Sequence, residues 1–227
     1  MCGADFPGKI RNMSNIGKGN PNLVGPDGMP DWRTLYDKVP VESMPWFNPK
    51  LDPDLARTLS ARGIKQGKFL DLGAGPGTQA IELARLGFNA TGTDISPNAV
   101  TQATERAAGT KARFVVDDIL ATSLNENFDL IFDRGCFHVF EPKDHAAYLK
   151  SLDRLLAPDG TFFLKCFSAA EPGTSGPKRY AREDIGRIFG GQLELLSVED
   201  TVYYGNVGGS SPLDHEPRSL FAVMRRK

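Results

Sequence analysis

The sequence predicts an α/β protein built on a seven-stranded sheet that is mostly parallel, with an antiparallel last strand and helices on both faces. Three observations favour this fold. Short apolar runs alternate with segments of helical length through the first five predicted strands, as in parallel sheets. A glycine-rich turn joins the first strand to a helix. The last two strands, residues 193–198 and 220–224, have no helical pattern between them, so we expect them to pair antiparallel.

Apolar spacing and stop signals set the bounds of the predicted elements. Glycines follow most of the predicted helices, and prolines begin several of them, as is typical of helix ends and starts. The predicted strands before the final pair are residues 69–72, 89–93, 112–116, 128–132 and 161–167. The predicted helices are residues 51–62, 76–86, 97–108, 142–156 and 181–189.

Composition restricts the class of protein. A chain of 227 residues with 40% hydrophobic and 24% charged residues indicates one globular domain. A net charge of -1 predicts no nucleic-acid partner, and no apolar run is long enough to predict a membrane span or a secretory signal. Three cysteines without paired spacing predict neither a disulfide framework nor a metal site, and they favour the cytoplasm. A monomer is compatible with this composition, which leaves the oligomeric state open.

The N-terminal 66 residues are predicted to form a tail followed by a helical cap. Residues 1–30 are dense in glycine, proline and asparagine, which predicts a flexible tail outside the single domain at 31–227. Trp32 and Tyr36 follow an acidic helix start, and Trp46 follows a proline, so we expect residues 31–66 to form a cap over a ligand cleft. The alternative is that these three aromatic residues only pack in the core.

The glycine loop predicts a ligand site. Residues 71–77 read Asp-Leu-Gly-Ala-Gly-Pro-Gly, and such a turn brings a ligand against the amides that open the next helix. In the dinucleotide fingerprint the third glycine would fall at Thr78, but here it comes one residue early, at Gly77. Asp71 would also repel a pyrophosphate. The loop therefore favours a cationic ligand and disfavours a nicotinamide dehydrogenase.

Acidic residues recur at the predicted carboxyl ends of the strands. Asp94 ends the second strand about twenty residues after the loop, and Ser96 fills the helix cap position, which leaves Asp94 free for a ligand. Asp117 and Asp118 end the third strand, and Asp133 ends the fourth. Because this edge of a parallel sheet is where ligands bind, we expect one site, although Asp118 has the alternative role of a turn residue.

The pattern D-x-G-x-G-x-G after a first strand resembles the loop of class I S-adenosylmethionine-dependent methyltransferases, whose Rossmann-like fold the predicted strands match one by one. The resemblance implies S-adenosylmethionine as cofactor and S-adenosylhomocysteine as product. It implies that Asp94 binds ribose, that Asp117 or Asp118 faces the adenine amino group and that Ile119 packs on its ring. The cofactor-binding residues implied around the loop and strand ends are Asp71, Gly73, Ala74, Gly75, Gly77, Asp94, Ile95, Asp117, Asp118 and Ile119.

A second resemblance concerns the acceptor. Residues 133–138 read Asp-Arg-Gly-Cys-Phe-His and, with the upstream aromatic helix and Pro45-Trp46, resemble the thiopurine S-methyltransferase-like group, which includes thiol and halide methyltransferases. This likeness covers residue 31 to the C-terminus. It implies that Trp32, Tyr36 and Trp46 cover the cofactor and that Asp133 lies by its sulfonium. Phe47 stands where related enzymes tend to have an acid, a departure that bears on the substrate class.

Three residues are predicted to be catalytic: Asp133, Arg134 and His138. A thiol is only a few per cent ionised at neutral pH, so a nearby base or cation helps, and Arg134 and His138 are the candidates. The alternatives are a salt bridge at the strand end and a structural histidine bonded to backbone. Cys136 is expected to pack rather than to react.

The sequence thus predicts a methyltransferase with a small-molecule acceptor, a thiol methylated by direct in-line transfer. O-, N- and halide methyltransferases, and a noncatalytic S-adenosylmethionine-binding subunit, remain as alternatives. The loop 201–217, with Tyr203, Tyr204 and His215, either lines the acceptor pocket or is a surface loop.

Overall fold

The computed structural model describes residues 30–173, 176–205 and 215–227. The predicted tail at 1–30 therefore lies almost wholly outside the described residues. The helices are α1 (Trp32–Lys38), α2 (Pro53–Ala61), α3 (Thr78–Arg85), α4 (Pro97–Arg106), α5 (His145–Leu155) and α6 (Arg182–Phe189). The strands are β1 (Lys68–Leu72), β2 (Asn89–Asp94), β3 (Arg113–Val116), β4 (Phe128–Arg134), β5 (Leu156–Ser168), β6 (Arg179–Tyr180), β7 (Leu193–Val202) and β8 (Arg218–Arg226).

The sheet has the strand order β3-β2-β1-β4-β5-β8-β7, and the two-residue β6 pairs with the end of β5. Strands β1 to β5 pair in parallel, whereas β8 is antiparallel to both β5 and β7. The predicted mostly parallel sheet with an antiparallel last strand is therefore confirmed. The chain runs outward from β1 in one direction and from β4 in the other, so their carboxyl ends border a topological switch point, where such sheets bind ligands.

Two features of the sheet differ from the prediction. A 3-10 turn (Ile119–Ala121), not an α-helix, lies between β3 and β4, because Asp118 caps this turn through the amide of Leu120 and the following segment is rich in turn-forming residues. Strand β5 begins at Leu156, which pairs with Phe128, and the register shifts before the pairing resumes at Leu130 and Thr161. Residues 158–160, which fall between the predicted helix 142–156 and the predicted strand 161–167, thus form a bulge within β5.

The cap packs on the side of the parallel sheet near α4. Leu35 and Met44 are buried, and together with Tyr36, Val41 and Phe47 they form an apolar cluster with Ala99 of α4. Asp31 caps α1 by accepting a hydrogen bond from the amide of Arg33, as expected from the acidic start. The 31–47 segment is thereby fixed beside the loop that follows β1. No helix among the described residues is long and apolar enough to span a membrane.

Candidate functional site

A cavity lies at the carboxyl ends of β1 to β4, beneath the cap. Most of the residues predicted to bind the cofactor line it, and the structure brings them together from the cap and from the carboxyl ends of neighbouring strands. The predicted site residues that line the cavity are Trp32, Tyr36, Trp46, Asp71, Gly73, Ala74, Gly75, Asp94, Ile95, Asp117, Asp118, Ile119, Arg134 and His138. Gly77 and Asp133 are the two predicted residues that do not line it.

The glycine loop requires glycine for conformation and for close approach. Gly73 and Gly75 have φ of 63° and 50°, in the left-handed region. A Cβ on Gly75 would lie 2.7 Å from the hydroxyl oxygen of Tyr36, and a Cβ on Gly73 would lie 2.8 Å from the Cβ of Cys136. The loop therefore passes directly against the cap on one side and against the turn after β4 on the other.

Gly77 begins the helix that follows the glycine loop. It is the N-cap of α3, with φ of 80°, and a Cβ there would lie 2.6 Å from the ring of Phe114 and 2.8 Å from the Cβ of Ala103. Its missing side chain lets α3 begin in contact with the neighbouring strand and helix. The described contacts therefore give Gly77 a packing role, and its contact with the ligand stays a prediction.

Asp94 holds the loop as well as lining the cavity. Its carboxylate accepts hydrogen bonds from the amides of Gly75 and Ser96, each at 2.9 Å. Ser96 caps α4 as predicted. This cap does not leave Asp94 free, because its carboxylate binds the two amides. The pKa of Asp94 is raised because burial outweighs these amide hydrogen bonds.

The two acids after β3 each leave one oxygen available. Asp117 accepts hydrogen bonds from the amide and hydroxyl of Ser123 through Oδ1, at 2.7 and 3.0 Å. Its Oδ2 is buried and has no hydrogen-bond partner among the described residues. Asp118 uses Oδ1 to accept from the amide of Leu120. A buried acceptor without a donor is costly, so Asp117 suits a ligand that brings an N–H group to this end of the cavity.

The cavity is lined by four carboxylates, those of Asp71, Asp94, Asp117 and Asp118. Asp71 accepts a hydrogen bond from the amide of Ala80 at 3.3 Å, yet burial raises its pKa to about 7. This charge distribution attracts a cationic ligand and repels phosphates. The residues present therefore fit S-adenosylmethionine, which carries an ammonium and a sulfonium group, better than a dinucleotide.

Asp133 lies behind the cavity wall. Its carboxylate is fully buried and accepts hydrogen bonds from the amides of Cys136 and Phe137 and from the hydroxyl of Tyr148, the last at 2.7 Å. Burial raises its pKa to about 6. Its oxygens anchor the turn after β4, and the catalytic role and cofactor contact predicted for Asp133 stay predictions.

Arg134 lines the cavity, but its donors are directed away from a ligand. Nε pairs with Oδ2 of Asp52 at 3.0 Å, one terminal nitrogen donates to the carbonyl of Trp46 at 3.0 Å, and the other donates to the carbonyl of Tyr204. The predicted catalytic cation is therefore a structural clamp between the cap and the chain after β7, and it contributes positive charge only at a distance.

Sequence reasoning missed Lys165, which completes this network. Its Nζ is fully buried in β5 and lies 2.9 Å from Asp52 and 2.7 Å from Asp54, both at the start of α2. Two signals were available in the sequence. A single lysine within the apolar run Thr-Phe-Phe-Leu-Lys-Cys-Phe requires a buried anion, and Asp52 and Asp54 are close together at a helix start.

His138 is buried and neutral. Its Nδ1 accepts a hydrogen bond from the amide of Phe167 at 3.1 Å, so the single proton of the neutral ring is on Nε2. Burial, assisted by the charge of Arg134, lowers its pKa to about 3. A ring with its lone pair occupied and so low a pKa is a poor proton acceptor. These contacts favour the structural alternative for His138, and its predicted catalytic role stays a prediction.

The chain after β7 contributes to the cavity in part. Tyr203 lines it and donates its hydroxyl to the carbonyl of Lys165 at 2.7 Å. The ring of Tyr204 lies under Nζ of Lys165, 4.5 Å from its centroid. His215 instead contacts Glu171 and does not line the cavity. Residues 206–214 of the predicted acceptor loop lie outside the described residues.

Comparisons with known proteins agree with this geometry. A family model described as a methyltransferase domain matches residues 69–160. An uncharacterized methyltransferase of Schizosaccharomyces pombe is 34% identical over 119 residues, which is 49% of this chain and 82% of the relative. Thiocyanate methyltransferase 1 of Brassica oleracea is 30% identical over 166 residues, 70% of this chain and 73% of the relative.

A solved structure from work on the conversion of a disulfide bond into a thioacetal group during echinomycin biosynthesis is also similar. It has a TM-score of 0.73 and 25% sequence identity, with 86% of this chain and 91% of that chain covered. The strand order and the acidic cavity at the switch point define a class I methyltransferase. The chain belongs to the S-adenosylmethionine-dependent methyltransferase family, and S-adenosylmethionine is its cofactor.

Proposed function

We propose that this methyltransferase transfers the methyl group to a small thiol and belongs to the thiopurine S-methyltransferase-like group. The observation that carries the proposal is the lack of a free base beside Gly135 and Cys136, within the described part of the chain. Asp133 is enclosed by its own hydrogen bonds, and Nδ1 of His138 is occupied by the amide of Phe167. Phenols, alcohols and amines need help to lose a proton, whereas a thiol supplies a few per cent of thiolate unaided.

The surroundings of this end of the cavity suit a soft nucleophile. The rings of Phe167, Tyr203 and Trp46 line it, and His138 packs edge-on against Phe167 with ring centroids 5.0 Å apart. A water-poor aromatic environment disfavours separated ions, and the attack of a thiolate on a sulfonium removes two charges. The aromatic lining therefore favours this transition state over the separated reactants.

Two of the similar proteins support sulfur chemistry. One is named for the methylation of thiocyanate, and the other is connected by name with a disulfide becoming a thioacetal. Both involve sulfur, a polarisable nucleophile.

For the cofactor, we propose that Gly73 and Gly75 border its methionine part, that Asp94 accepts hydrogen bonds from its ribose and that Asp117 takes the adenine amino group. Trp32, Tyr36 and Trp46 would cover it from the cap. When bound, it supplies an electrophilic methyl on sulfur, which a thiolate lone pair takes as the carbon–sulfonium bond breaks, giving a thioether and S-adenosylhomocysteine. The chain's own contribution is to orient the acceptor and to exclude water.

A methyl-transfer screen tests the proposal. The full chain is incubated with methyl-deuterated S-adenosylmethionine and panels of small thiols, halides, phenols and amines, and the products are identified by mass spectrometry. We expect the highest kcat/KM with a thiol and a labelled thioether as product. A phenol or amine preferred by tenfold or more would overturn the thiol assignment and leave the methyltransferase class unaffected.

A further inference from the structure

His138 presents one unused polar atom to the acceptor end of the cavity. The ring lines the cavity, and Nε2 lies 3.2 Å from the point where a Cβ on Gly135 would stand. Nδ1 is fixed as an acceptor by the amide of Phe167, so Nε2 carries the proton. Among the described residues, no group accepts a hydrogen bond from this N–H.

The ring is held rigidly in this orientation. Phe167 packs against it edge-on, and the ring of Tyr203 lies at 5.8 Å on a tilted plane. Tyr203 uses its own hydroxyl to donate to the carbonyl of Lys165. A rotated ring would lose the hydrogen bond from Phe167 and leave a buried backbone amide unsatisfied, so the donor at Nε2 is fixed.

The other polar groups near this point are already engaged. The three donor nitrogens of Arg134 bind Asp52 and the carbonyls of Trp46 and Tyr204. The carboxylate of Asp133 faces the amides of the following turn. Nε2 of His138 is thus a donor with hydrogen-bonding capacity left at this end of the described cavity, and it lies beside the hydroxyl oxygen of Tyr203, which has already given its hydrogen to the carbonyl of Lys165.

We propose that His138 is a positioning residue for the acceptor, which donates the Nε2 hydrogen to an anionic nucleophile and selects the thiolate form over neutral acceptors. This inference rests on the proposed function. A fixed N–H donor binds an anion strongly, and this hydrogen bond weakens as the negative charge leaves sulfur during methyl transfer. It therefore stabilises the bound thiolate at least as much as the transition state, so its removal should raise KM and should not lower kcat.

Two amide variants separate the two ring nitrogens. In His138→Gln the amide reaches the position of Nε2 and keeps a donor toward the cavity. In His138→Asn the amide reaches the position of Nδ1 and keeps an acceptor for the amide of Phe167. We expect His138→Asn to raise KM for the thiol roughly ten- to hundredfold with kcat unchanged or slightly higher, and His138→Gln to remain within about threefold of the unmodified protein.

A spectroscopic readout is independent of turnover. The chain has three histidines, so ¹⁵N-labelled histidine gives three resolvable imidazoles, and His138→Gln identifies one of them. We expect His138 to remain neutral with the proton on Nε2 from pH 8 down to about pH 5. Titration of this ring between pH 6 and 7, or a proton on Nδ1, would overturn the inference.

The outcomes distinguish the two proposals. Thiol methylation by the unmodified protein, with equal KM changes in the Gln and Asn variants, would overturn the donor role and leave the thiol assignment intact. A fall in kcat with KM unchanged in His138→Asn would likewise contradict it, since a base or a structural role acts on turnover. Failure of the unmodified protein to methylate any thiol would overturn the proposed function itself.

Discussion

Lys165 and Asp52 form a fully buried ion pair, with Nζ lying 2.9 Å from Oδ2, across 113 positions of sequence. Asp54 is the second carboxylate on Nζ, and it also accepts the hydroxyl of Thr201. Together with Arg134, these charges join α2 to β4, β5 and β7. Because Lys165 and Arg134 lie beside it, the pKa of Asp52 is held below its usual value despite burial.

Replacing the lysine should be strongly destabilising. Lys165→Met leaves Asp54 without its buried cation, and we expect the free energy of unfolding to fall by about 3–5 kcal/mol, measured by urea denaturation. Asp54→Asn combined with Lys165→Met removes one charge of each sign and keeps the Asp52–Arg134 pair. We expect the double variant to recover half or more of the loss. A loss below about 1 kcal/mol in Lys165→Met would contradict a desolvated network.

Asp94 offers a direct test of the cofactor site. Asp94→Ala should weaken S-adenosylmethionine binding by tenfold or more in calorimetry, because it removes the ribose acceptor and frees the amide of Gly75. Asp129→Ala is the matched control, since Asp129 is an exposed acid of β4 that accepts the amide of Lys68 away from the cavity. Equal dissociation constants for Asp94→Ala and the unmodified protein would remove the ribose assignment.

Replacing Asp71 should have opposite effects on the stability of the free protein and on cofactor binding. Its pKa is about 7 in the folded protein against 3.8 when exposed, so the folded state binds more protons between these values. The Asp71 contribution to stability is therefore greatest below pH 4 and is lost as pH rises through 7, up to about 4 kcal/mol. We expect Asp71→Asn to change the free energy of unfolding of the free protein more favourably at pH 8 than at pH 5. Urea unfolding of the variant and of the unmodified protein at both pH values measures this difference.

The same variant should bind the cofactor less tightly. Asp71→Asn removes one of the four carboxylates that line the cavity and so reduces the attraction for a cationic ligand. Calorimetry at pH 8 should show a higher dissociation constant than in the unmodified protein. An equal loss of stability at pH 5 and pH 8, or tighter binding, would argue against the charge balance described for this cavity.

The cap should respond to the cofactor. Trp32 and Trp46 are the two tryptophans of the chain, they line the cavity, and their rings meet edge-on at 5.5 Å. We expect S-adenosylmethionine to change tryptophan emission and to slow tryptic cleavage at the exposed Arg33 and Lys38. Trp46→Phe should reduce the emission change. Identical emission and cleavage with and without saturating cofactor would show that the cap does not close over the site.

The fold was largely predictable because local signals and strand periodicity agree in this chain. The acidic starts of α1 and the Ser96 cap of α4 lie where the sequence indicated. The segment between β3 and β4 was not predicted, because capping by Asp118 favours a 3-10 turn over a longer helix.

The candidate site was predictable only where the chain is locally patterned. The glycine loop and the acids at the strand ends follow from spacing, and they converge on one cavity. The hydrogen bonds of Asp133, Arg134 and His138 depend on partners that are distant in sequence. These partners are Tyr148, Asp52 and Phe167, respectively. Burial and hydrogen bonding from those partners decide charge and tautomer, and no spacing rule in the sequence encodes them.

The central claim, that the acceptor is a thiol, is tested most directly with a small aromatic acceptor that bears both a thiol and a hydroxyl or amino group. The measurement is the position of the transferred methyl on that molecule. One molecule then offers sulfur and its competitor at equal concentration in the same pocket. With methyl-deuterated S-adenosylmethionine, we predict that NMR and mass spectrometry find the label on sulfur in at least nine-tenths of the product. Predominant labelling of oxygen or nitrogen would contradict the account.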